Sequence, residues 1–109
     1  MSNNYIVIFI TCRSKKEAAL IAGSLLKKRL VACANIVNNI ESKFWWNGKI
    51  EKARETLVML KTADNKFKAV EKEVKRLHSY EVPEIIAIPI VRLSGDYRRW
   101  IRGSVTPPP

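Results

Sequence analysis

Phe44-Trp45-Trp46-Asn47-Gly48-Lys49 lies at the centre of the stretch that decides the fold, Leu30 to Thr62. Asn-Gly is the strongest short signal for a two-residue type I′ turn, because both central positions need positive φ. Before the turn come Val31-Ala32-Cys33-Ala34-Asn35-Ile36-Val37 and then Ile40 to Trp46. After it comes Lys49 to Lys61, ending in Thr56-Leu57-Val58-Met59-Leu60. Each arm has roughly 13 to 15 residues and reaches about 45 Å at about 3.3 Å per residue. Ordinary strands have about 5 or 6 residues, and a domain of this length has a radius of gyration of about 13 Å. The far half of the hairpin must protrude, bend or meet another subunit, and a subunit contact is the expectation. Asn38-Asn39 marks a bulge that lets so long a strand bend.

Working outward, Tyr5-Ile6-Val7-Ile8-Phe9-Ile10 reads as a central strand buried on both faces, closed by Thr11-Cys12-Arg13. Ser14-Lys15-Lys16-Glu17 is a capping box, in which serine takes the amide three residues on and glutamate reaches back. The helix it opens runs to about Arg29, with Ala18, Ile21, Ala22, Leu25 and Leu26 on one face. Beyond the hairpin, Asp64 is placed to cap a second helix from Asn65 to about Leu77. Phe67, Val70, Val74 and Leu77 form its apolar stripe, with Glu71 and Glu73 on the wet side. After the loop from His78 to Glu84, Ile85 to Val91 reads as another buried strand. Pro89 lacks an N–H and puts that strand at an edge. Ser94 caps a short last helix with Tyr97, Trp100 and Ile101 on one face.

Strand, helix, strand, strand, helix, strand, then a short helix predicts an α+β, ferredoxin-like sandwich. Its four-stranded antiparallel sheet carries both long helices on one face and a protruding hairpin. The strands at Tyr5 and Glu55 are central. Residues 1–104 form one domain, and residues 105–109 are read as a mobile, Pro-rich tail. The uncovered sheet face and the hairpin would leave Trp, Leu and Val exposed, which predicts an oligomer. Cys12 and Cys33 fall toward opposite ends of the sheet, so no disulfide is expected.

The chain has 109 residues, 47% of them hydrophobic, enough for a core. No apolar run approaches the length of a membrane span, and no leader pattern precedes Tyr5, so a cytoplasmic protein is expected. The net charge of +10 suits an anionic partner. Lysine and arginine are scattered from Arg13 to Arg102, however, which reads as a solvated surface and argues against nucleic acid.

His78 is the single histidine. Cys12 lies where the loop after the second helix can approach it. The pair could hold Cu(I), or Cu(II) with oxygen from Glu81 or Glu84. The plainer reading is a histidine hydrogen-bonded at a helix C-terminus. Glu55, with Lys61, Tyr80 or Glu84 of a neighbour, could line an intersubunit cleft; equally, it reads as a partnered core or interface carboxylate. Trp45, Trp46 and Trp100 are aromatic anchors, for a subunit interface ahead of nucleic-acid stacking.

Arg29-Leu30-Val31-Ala32-Cys33-Ala34-Asn35-Ile36 resembles the R-L-x-A-C-x-N-I segment of the CutA divalent-cation tolerance proteins. The likeness continues in Trp46-Asn47-Gly48-Lys49-Ile50, Glu55, Lys61-Thr62, His78-x-Tyr80-x-Val82-Pro83-Glu84-Ile85 and Tyr97-x-x-Trp100. It implies a ferredoxin-like protomer in a homotrimer, related in shape to the PII signalling proteins. It implies tolerance to copper and other divalent cations, no enzymatic reaction, no required cofactor, and copper or another divalent cation as an optional ligand. Copper sites proposed for some members use a first-strand cysteine and a His-His pair. Here those positions hold Ile10 and Leu77-His78, so only His78 matches, with Cys12 two residues beyond Ile10. The alternative is a PII-like module that senses a small anion in clefts lined by residues such as Lys61.

Overall fold

The computed structural model describes residues 4–107. In chain order these form β1 (Tyr5–Cys12), α1 (Lys15–Lys27), β2 (Cys33–Trp46) and β3 (Lys49–Ala63). A 3₁₀ turn (Asp64–Lys66), α2 (Phe67–Leu77), β4 (Ile85–Pro89) and α3 (Gly95–Ser104) follow. The strands make one antiparallel sheet in the order β2-β3-β1-β4. That is the ferredoxin-like order, with β1 and β3 central and the proline-bearing β4 at an edge.

The hairpin turns at Asn47 (φ 52°) and Gly48 (φ 77°), the two left-handed positions of a type I′ turn. β2 and β3 have 14 and 15 residues. β1 stops pairing with β3 at Cys12–Thr56, so among the described residues the hairpin beyond Glu55 pairs only with itself. It draws the molecule out to 47 × 26 × 22 Å. The register of β2 against β3 slips between Val37 and Ile40. Asn39 takes a left-handed φ of 65° there, and Asn38 Oδ1 accepts the Thr56 hydroxyl at 2.8 Å.

Alternation along the strands sends one set of side chains under the helices. Ile6, Ile8, Ile10 and Cys12 of β1 and Val58 and Leu60 of β3 meet Ala18, Ile21 and Leu25 of α1 and Val70 and Val74 of α2. A second cluster joins Tyr5, Ala32 and Ala63 to Ile101 and Val105. Among the described residues, no helix is long and apolar enough to cross a membrane.

Several details depart from the expectations. Beyond Tyr5, which α3 covers, the second face of β1 is only partly buried; Val7, Phe9 and Thr11 are half-exposed because α1 and α2 lie on the other side. β4 ends at Pro89 and, as an edge strand, is largely exposed on both faces. α1 stops at Lys27, leaving Leu26 exposed. Asp64 does not cap α2; it opens the 3₁₀ turn, and its N–H bonds to Asn4 O instead. Glu73 is buried against α1, where it accepts from Ser24 Oγ at 2.5 Å and pairs with Lys28 at 3.0 Å. Val105 is buried in the second core rather than free in a tail, because its aliphatic side chain fills the space beside Ile101. Pro108 and Pro109 of that tail lie outside the described residues.

Candidate functional site

Ile10 and Cys12 face the helices, so β1 delivers Cys12 to the sheet end where α1 begins and α2 finishes. α1 begins with Ser14, whose Oγ accepts the Glu17 N–H at 3.1 Å. Glu17 reaches back to the Arg13 amide (3.1 Å), one residue earlier than a capping box requires. Its other oxygen takes the Ser79 amide at 2.8 Å. One carboxylate thus ties the start of α1 to the loop after α2.

His78 caps the C-terminus of α2, its N–H donating to Val74 O at 2.8 Å. Its Nε2 lies 2.7 Å from Thr11 O, and its Nδ1 lies 3.1 Å from the Tyr80 amide nitrogen. A nitrogen facing a carbonyl must carry the proton, and one facing an N–H must offer its lone pair. The partners therefore fix the Nε2–H tautomer. The imidazole joins β1 to the 78–84 loop, the plainer of its two readings from sequence.

Ligand atoms of Cys12, Glu17 and His78 all lie within 4.8 Å of one another. The structure thus brings Cys12 to His78, but it supplies Glu17 as the oxygen neighbour; Glu81 and Glu84 do not join the group. The trio does not fit a resident metal. Neither histidine nitrogen has a free lone pair. Burial, reinforced by Glu17 and Glu55, pushes the Cys12 thiol up to about 12, so it stays protonated at neutral pH. Burial also works to raise the Glu17 carboxyl, but hydrogen bonds from Ser79 and the Arg13 amide, helped by His78, hold it below the ordinary range.

Beside this trio opens a cleft of about 970 Å³ between the hairpin and the 78–84 loop. Phe44, Trp45 and Trp46 of β2 line it on the hairpin side, Phe44 and Trp46 from the face that carries Glu51 and Glu55, and Tyr80, Val82 and Pro83 line it on the loop side. Glu55 sits at the base, only 7% exposed, and its Oε2 accepts the Tyr80 hydroxyl at 2.6 Å. Burial, then the hydrogen bond to Glu55, raises the Tyr80 phenol well above its ordinary range. Burial and the charge of Glu55 raise the Glu84 carboxyl.

Glu55, Tyr80 and Glu84 thus come together within one chain, where a neighbour's Tyr80 or Glu84 had been expected. Lys61 does not join them in the protomer. It lies six residues along β3, about 20 Å away by strand rise, opposite Cys33 and Val7 and bonded to Asn35. Trp45 and Trp46 flank the cleft. Trp100 sits on α3, which packs at the Tyr5 end of the sheet, and stacks on Tyr97 with ring centroids 5.3 Å apart. Glu17 escaped the sequence reading because its visible role was local; its bond to Ser79 spans 62 residues.

A family model described as CutA1 divalent ion tolerance protein matches residues 6–104. The "Divalent-cation tolerance protein CutA" of Archaeoglobus fulgidus is 49% identical over 98 residues, 90% of this chain and 95% of that protein. "Protein CutA" of Homo sapiens is 40% identical over 94 residues, and "Protein CutA 1, chloroplastic" of Oryza sativa 39% over 99. The chain spans about half the length of those two relatives, 52% and 56%. The solved structure of the Archaeoglobus fulgidus "Periplasmic divalent cation tolerance protein CutA" superposes with a TM-score of 0.90 at 48% identity, covering 93% of this chain and 98% of that one. CutA1 from Oryza sativa superposes equally well, with a TM-score of 0.90 at 39% identity, covering 93% of each chain.

Proposed function

The chain belongs to the CutA1 divalent ion tolerance protein family, and on that premise we propose that it serves divalent-cation tolerance as a non-enzymatic homotrimer. In this reading it meets copper and similar ions weakly and exchangeably, and needs no cofactor. The observation that carries the reading is the state of the Cys12, Glu17 and His78 donors. They converge, yet each histidine nitrogen already has a backbone partner and the thiol keeps its proton. An ion there must displace a bond that holds the loop, so affinity is low and release is easy.

The free thiols, Cys12 buried and Cys33 half-buried, support a reducing, cytoplasmic setting. The trimer is supported by the exposed hairpin and open sheet face. The alternative, a PII-like sensor of a small anion in intersubunit clefts, needs Lys61 from a neighbouring subunit, because within the protomer Lys61 pairs beside Cys33 and Val7, away from Glu55.

Calorimetric titration of Cu(II) and Zn(II) into the wild type and His78→Ala tests the metal reading. Weak binding that the substitution lowers about 10-fold, or about 1.4 kcal/mol, is expected. Tight binding at nanomolar concentration, or binding that His78→Ala leaves unchanged, would contradict it.

A further inference from the structure

Cations that are scattered along the chain gather in the fold. On α1, Lys16, Leu20, Gly23 and Lys27 recur at helical spacing opposite the buried Ala18, Ile21, Ala22 and Leu25, and each is exposed. On α2, Lys68, Lys72 and Lys75 lie opposite Val70 and Val74 and are exposed. Ser24 of α1 donates to Glu73 of α2, and Lys28 pairs with it, so the two helices lie side by side and present one outer face. Their glutamates are already engaged. Glu17 accepts the Arg13 and Ser79 amides, Glu73 is buried against Ser24, Lys28 and Arg76, and Glu71 pairs with Lys75. Lys16, Lys27, Lys68 and Lys72 have no acidic partner among the described residues. Lys68 and Lys72 stand one turn apart on α2, where like charges repel.

Subunit contacts through the hairpin, the open sheet face and the edge strands leave the outer side of α1 and α2 in solvent, because both helices cover the opposite face of the sheet. The chemistry of the face selects its partner. Lys16 and Lys27 are about 16 Å apart along α1 at about 1.5 Å per residue. The lysines therefore cannot converge on one small anion and need an extended anionic surface. Leu20, 59% exposed, stands between them. A nucleic-acid backbone offers it nothing, whereas a bilayer offers the boundary between headgroups and acyl chains. The one aromatic residue of the two helices, Phe67, packs against the core, so no ring is presented for base stacking. Neither helix stands free to enter a groove.

We propose that the outer face of α1 and α2 docks this protein on an anionic lipid bilayer, with the lysines on headgroup phosphates and carboxylates and Leu20 in the headgroup–acyl boundary. The inference does not depend on the divalent-cation reading.

The test is cosedimentation of the full chain with phosphatidylcholine vesicles that contain about 30% phosphatidylserine, compared with pure phosphatidylcholine, at about 0.1 M NaCl. Affinity for the anionic vesicles should be at least about 10-fold higher and should fall steeply with added salt. Lys72→Glu should weaken it about 10-fold. Arg102→Glu, an equal change in net charge on α3, should alter it by about twofold or less. Leu20→Ala should weaken it about threefold. These positions are exposed, so the variants keep the fold. Equal binding to neutral and anionic vesicles would overturn the proposal. So would Arg102→Glu weakening binding as much as Lys72→Glu, which would mark net charge rather than this face. Leu20→Ala at wild-type affinity would also overturn it. A DNA duplex that binds more tightly than the vesicles, with the same dependence on Lys72, would make the partner nucleic acid instead.

Discussion

His78 holds two backbone segments together through one ring, with Thr11 O on Nε2 and the Tyr80 amide on Nδ1. Removing the ring leaves both groups without their partner. His78→Ala is expected to lose about 1–3 kcal/mol in urea unfolding, without metal present. Glu17 adds a pH signature. Its folded pKa is held below the ordinary carboxylate value, so its contribution is present above the unfolded pKa of about 4.3 and fades as pH falls through the folded value. Glu17→Gln should therefore lower stability at pH 7 and flatten the acid limb of the stability profile. Cys12, buried and pushed up to about 12, should resist iodoacetamide at pH 8 until the protein is unfolded, as peptide mass mapping would show. A Cys12 alkylated at the rate of a free thiol would contradict its placement. At this scale the sequence reveals the approach of Cys12 to His78, because strand alternation and helix order bring both to one end of the sheet. It does not reveal Glu17 as the third member, since a capping box describes one helix start and is silent about a loop far along the chain.

The hairpin was the most legible element, because its signal is local. Asn47-Gly48 supplies two left-handed positions, and Asn38-Asn39 supplies the bulge. Gly48→Val places a branched side chain at φ 77° and should cost about 1–2 kcal/mol, measured by thermal unfolding. The helices were legible from periodicity, but their ends were less so. Asp64 looked like a cap, yet the chain makes a 3₁₀ turn first, with the Asp64 amide on Asn4. Glu73 looked solvated because its neighbours are lysines; a tertiary partner, Ser24 on α1, draws it inward. Val105 fell in a Pro-rich context that masked its place beside Ile101. For Asp64 and Glu73 the deciding contact came from another part of the chain, and for Val105 from the packing of α3 against Tyr5, Ala32 and Ala63.

On the scale of the molecule, the protomer exposes what a core would normally hide. Trp45 and Ile50 on the hairpin and Ile86 and Ile88 on β4 are exposed, and among the described residues both edge strands, β2 and β4, have no outer strand beside them. Such surfaces are rare on monomers. Their residues have core chemistry, which is why the sequence predicts a partner surface for them but not which surface it is. Closed cyclic symmetry satisfies the edges and the face together. Light scattering coupled to size exclusion, at micromolar concentration, tests this most directly. A trimer predicts a mass three times the 12.5 kDa of the chain. A single species of 12.5 kDa would contradict it and leave the protruding hairpin without a purpose.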